Sequence, residues 1–69
     1  MPRMTHWTEA VSYNVVHDCE MARISGFDDK CQEHWMMIDA GAGFRDRRAE
    51  ALERIQESIE SGDLPGEVP

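Results

Sequence analysis

Two cysteines and two of the three histidines fall at His17, Cys19, Cys31 and His34, an H-x-C pair and a C-x-x-H pair separated by eleven residues. Two thiolates with two imidazoles form the ligand set of a structural zinc site. Cys31 and His34, three apart, share a helical face. His17 and Cys19 diverge by about 200° on a helix and meet one ion only if their segment is extended. Zinc is therefore the alternative reading, tied to an extended first segment. The main reading is a pair of buried, inert thiols with no metal and no other cofactor. As a redox pair the same thiols would close a loop of about 13 residues, a stabilisation of ~3 kcal/mol by loop entropy. A reducing compartment keeps them as free thiols. Nucleophilic catalysis lacks a nucleophile elbow and a Gly-rich oxyanion loop, and Asp28-Asp29 reads as a helix start rather than an acid/base couple. The chain is not read as an enzyme.

A second constellation is Gly41-Ala42-Gly43 followed by Phe44, Arg45, Arg47 and Arg48. Glycines, a helix start and guanidinium groups resemble an anion cradle, but the Gly-Lys-Ser/Thr ending of a P-loop is missing. It reads as a hinge with solvated arginines. Those cations at the start of a helix, and Glu57, Glu60 and Asp63 at its end, both oppose the macrodipole. Such charges answer to something other than the helix itself. From Glu50 onward six acidic groups face one arginine, so the chain has a basic collar and an acidic end.

Seven Lys plus Arg against fourteen Asp plus Glu leave 69 residues with a net charge of -7. That excludes nucleic-acid binding through phosphate neutralisation and points to a basic partner. Acidic positions three or four apart on one helix recur about every 5 Å, near the spacing of adjacent phosphates. Glu50, Glu53, Glu57 and Glu60, with Arg45, Arg47 and Arg48, are the candidate contacts. No run approaches the ~18 apolar residues of a membrane span, and the opening residues lack the apolar core of a secretory signal. The expectation is a cytoplasmic protein without a membrane partner.

The elements that must position these groups are set by apolar periodicity. Trp7, Val11, Val15, Cys19 and Ala22 recur at steps of four and three, which predicts a helix over 5–24 capped by Thr5. Val11, Tyr13, Val15, His17 and Cys19 also alternate, and Val15-Val16 is β-branched, so an extended segment is the competing reading. Phe27, Cys31, Trp35 and Ile38 predict a second helix over 28–40. Phe44, Arg48, Leu52, Ile55 and Ile59 predict a third over 44–61, stopped by Gly62 and Pro65. The expected fold is an all-α domain over 1–62, an antiparallel helical hairpin with a third amphipathic helix across it, followed by a flexible acidic tail over 63–69. A turn at Ser25 would bring Cys19 and Cys31 to one height. A core this small gains from self-association, so a homodimer burying the remaining Met and aromatic surface is expected.

The functional expectation is a small acidic protein that inhibits or regulates a larger basic protein by covering its surface. A hydrophobic groove taking a partner's helix is the second binding mode. In size, acidity and lack of a catalytic constellation the chain resembles the accessory proteins with which bacteriophages and other mobile elements inhibit host enzymes, anti-CRISPR proteins among them. The resemblance is one of type, and no specific residue carries it.

Overall fold

The computed structural model describes residues 2–69. It contains strands β1 (His6–Asn14), β2 (Cys19–Phe27) and β3 (Glu33–Asp39), helix α1 (Phe44–Glu60) and a short strand β4 (Gly66–Glu67). The sheet order is β1-β2-β3-β4, with β1, β2 and β3 successively antiparallel and β4 parallel to β3. The all-α expectation is overturned. Residues 5–24 are a strand, a turn and most of a second strand, 28–40 are a loop and a third strand, and the fold is a sheet with one helix rather than a helical bundle.

The physical reason lies in the spacing. A step of four returns to the same side of a helix, but being even it also returns to the same face of a strand. Trp7, Val11 and Val15 therefore fit both periods, and β-branched and aromatic content decides for the strand. The hairpin turn Val15–Asp18 contains neither Gly nor Pro. It is made instead by the Asn14 side chain, whose Oδ1 accepts from His17 N at 3.0 Å, and by Asp18, which adopts φ 52°. Asn and Asp tolerate such local geometry.

Residues opposite one another in antiparallel strands share a face. One face thus carries Trp7, Glu9, Val11 and Tyr13 of β1, Gly26, Ile24 and Ala22 of β2, and His34, Met36 and Ile38 of β3. Helix α1 lies on this face over β2 and β3, and the core is Ala22 and Ile24 beneath Ala51, Ile55 and Ile59. Ser25-Gly26, read from sequence as a turn, lies buried inside β2. A Cβ on Gly26 would stand 2.5 Å from Ile55 Cγ2 and 2.7 Å from Met4 Sδ, so this glycine lets helix and sheet approach closely.

The β2–β3 loop is built on Asp28, whose Oδ1 accepts from Lys30 N and Gln32 N, each at 2.9 Å. What read as a helix start is an Asx-type turn. Gly62 ends α1 with φ 76°, its N–H donating to Ile59 O, a left-handed close that favours glycine. The segment 63–69, expected to be loose, carries β4, and Val68 N donates to Trp35 O at 2.7 Å.

Candidate protein-binding surfaces

The predicted ligand set is dispersed. His17 lies in the β1–β2 turn and Cys19 begins β2, whereas Cys31 is in the loop beyond the other end of β2 and His34 is in β3. A nine-residue strand spans about 27 Å between its ends. The two thiols are free but not buried as expected, Cys31 being exposed and Cys19 half-buried, and among the described residues no three His, Cys, Asp or Glu side chains stand together as a metal site. The expected juxtaposition of Cys19 and Cys31 fell with the helical hairpin.

His34 acquires a different environment. It is 1% exposed, and its Nε2 lies 3.2 Å from Asp28 Oδ2. The ionised carboxylate only accepts, so Nε2 carries the proton. Nδ1 is buried without a partner. The Gln32 backbone N–H, aided by His34 and the Lys30 N–H, holds the Asp28 carboxyl below its ordinary range. These groups border a cleft shared with Ile59, Gly62 and Asp63. The contacts of the pair hold the loop to β3.

The basic collar splits into separate roles. Arg47 donates to Asp39 O and Gly41 O, both at 3.1 Å, and fastens the β3–α1 connection. Arg48 reaches 39 residues back to Glu9 at 3.0 Å and lies over the rings of Phe44 and Trp7 at 5.5 and 5.8 Å. Only Arg45 of the three is exposed and without an ion pair among the described residues. Arg54 donates to Pro69 O, and Arg23 pairs with Glu33 at 3.2 Å.

The acidic residues remain together. Glu50, Glu53, Glu57 and Glu60 are all exposed, and Asp46 extends their row into the first turn of α1. Steps of four, three, four and three place these five carboxylates within an arc of ~80°, along ~21 Å of helix. None forms an ion pair among the described residues. Asp46 was missed from the sequence, although its four-residue offset from Glu50 already placed it on the ridge.

The sheet face away from α1 carries a polar-aromatic cluster. Arg23 lies over the Trp35 ring at 4.0 Å, and Ser25 Oγ donates to Glu33 Oε2 at 2.5 Å. The Ser25 hydroxyl and Arg23 hold Glu33 below its ordinary carboxylate range. Phe27 stacks on His6 with centroids 4.6 Å apart.

The sheet edge opposite β4 is β1, eight of whose nine residues are exposed. Among the described residues the exposed large apolar side chains are Trp7, Val11, Tyr13, Val15, Val16 and Leu64. All but Leu64 belong to β1 and the turn that follows it. No helix is long and apolar enough to cross a membrane among the described residues. Compared with known protein families, curated proteins and solved structures, the chain matches none.

Proposed function

We propose that the protein acts by binding rather than catalysis, and that the ridge Asp46, Glu50, Glu53, Glu57 and Glu60 covers a basic surface on a larger protein, inhibiting or regulating it by occlusion. The observation that supports this reading is an uncompensated field. Arg23, Arg47, Arg48 and Arg54 are engaged elsewhere in the molecule, while five like charges repeat along one side of a helix. Like charges at i, i+4 destabilise a helix by about 0.2–0.5 kcal/mol per pair. A basic partner turns that repulsion into attraction and steers its own approach.

The test is capture of host proteins on immobilised wild type and on the triple variant Glu53→Lys, Glu57→Lys, Glu60→Lys. The expected result is a basic protein retained by the wild type, lost from the variant, and released as salt rises from about 0.01 M to about 1 M, where the screening length falls from about 30 to about 3 Å. Circular dichroism checks that the variant keeps its helix. A partner held equally by both chains would refute the placement on α1.

A further inference from the structure

We propose that β1 pairs antiparallel with β1 of a second copy, so that two sheets join edge to edge about a two-fold axis through Ala10. This goes beyond the acidic ridge and involves a different surface.

An exposed edge strand is a template for further pairing, and folded proteins usually blunt it with proline, lysine, a bulge or a short length. β1 has none of these. It runs for nine residues in uninterrupted register with β2 and contains no Pro and no Lys. Its one charged residue, Glu9, is held by Arg48 at 3.0 Å. In a chain of net charge -7 the edge is therefore a segment with little charge of its own. Exposed apolar side chains gather on it and on the turn beyond, where Val15 and Val16 are 82% and 89% exposed.

The edge also complements itself. Ala10 is the midpoint of His6–Asn14, so pairing about it engages the whole strand. On the α1 side it sets Trp7 against Tyr13 of the second copy, and Glu9 against Val11. On the other face it sets Thr8 against Ser12. Aromatic pairs and hydroxyl pairs are favourable cross-strand neighbours, and like charges directly opposite are not. Moving the axis to Glu9 would oppose the two Glu9 carboxylates. This two-fold match identifies a second copy, rather than a foreign strand, as the occupant.

An axis normal to the joined sheet leaves both helices on one face. With strands about 4.8 Å apart and α1 over β2 and β3, the helix axes would be roughly 20 Å apart. That exceeds two screening lengths at physiological salt, so the two acidic ridges tolerate each other.

The test is sedimentation of the full chain from about 1 µM to about 500 µM, since self-association is concentration-dependent. The expected result is a species of twice the 7.9 kDa chain mass that dissociates on dilution. Dimer affinity should hold or strengthen with added salt, opposite to capture of a basic partner, so the two proposals fail separately. Val11→Lys should raise the dimer dissociation constant at least ~10-fold while leaving circular dichroism unchanged, a charge on an exposed position being tolerated by the monomer. Amide exchange on the wild type gives an independent reading, because β1 amides facing away from β2 should be protected only above the dimerisation concentration. A monomer throughout the range, a dimer indifferent to Val11→Lys, or protection of β1 only when a strand of another protein is added would each overturn the proposal.

Discussion

β1 and β2 have the same length and pair residue for residue, yet β2 holds four buried residues and β1 none. Their apolar content does not explain this. β1 offers Trp7, Val11 and Tyr13 on the face shared with α1, where β2 offers Ala22, Ile24 and Gly26. The difference is geometric. A helix with its side chains is about 10 Å across and strands lie about 4.8 Å apart, so one helix covers about two strands. Here α1 covers β2 and β3, Gly26 drawing it close to β2. The larger side chains of β1 are left exposed.

Paired truncations test that contrast most severely. Ile55 is fully buried between helix and sheet, and Ile55→Ala should cost ~2–5 kcal/mol, enough to unfold much of a domain this small. Val11, on the same sheet face, should cost under ~1 kcal/mol as Val11→Ala when measured at concentrations where the chain is monomeric. Urea denaturation of both variants decides the matter. Comparable losses would mean that β1 belongs to the core after all.

The second contrast sets the Asp28 loop, at one end of β2, against the Asn14–Asp18 turn at the other. Asp28 accepts from two backbone N–H groups and faces buried His34. Asp28→Asn keeps an acceptor but removes the charge, and should lower the melting temperature by several degrees at pH 7. Because Asp28 is held below its ordinary value in the folded state, with the Gln32 N–H as the largest cause, its contribution is complete above the unfolded carboxylate pKa of about 3.9 and is lost as pH falls through the lower folded value. The gap between wild type and Asp28→Asn should therefore close in acid below about pH 4. In the turn, Asn14→Ala removes only an exposed cap and should change the melting temperature less. A constant gap for Asp28→Asn down to pH 2 would show that its charge is not what holds the loop.

The same contrast governs what could be read from the residues alone. α1 was legible because its stripe Phe44, Arg48, Leu52, Ile55 and Ile59 runs through a segment free of Gly and Pro, rich in helix-forming Ala, Glu and Arg, and closed by Gly62. The β1–β2 hairpin was not, because Trp7, Val11 and Val15 stand at even steps that suit either period, and its turn is made by side chains of Asn and Asp rather than by glycine. Ser25-Gly26 misled for the opposite reason, since a glycine used for close approach looks the same as one used for a turn. On the candidate surfaces, the acidic row Glu50, Glu53, Glu57 and Glu60 followed from the helix that carries it. The exposure of β1 depends on which strands α1 covers, and the capture of Arg48 by Glu9 on pairing across 39 positions. Neither is a local property.

The contact between Glu9 and Arg48 should have the smallest effect, and it sharpens the comparison furthest because it joins the covered and uncovered parts of the sheet. Both side chains are about a third exposed, so screening limits the pair to about 0.2–1 kcal/mol. Arg48 also lies over Phe44 and Trp7, and Arg48→Met keeps the stem while removing the charge. A double-mutant cycle with Glu9→Gln isolates the ion pair from that packing. The expected coupling is under ~1 kcal/mol and declines in salt. A coupling well above that, insensitive to salt, would mean that the pair holds β1 to α1 as one cooperative unit, and the division between a covered core and a free edge would have to be redrawn.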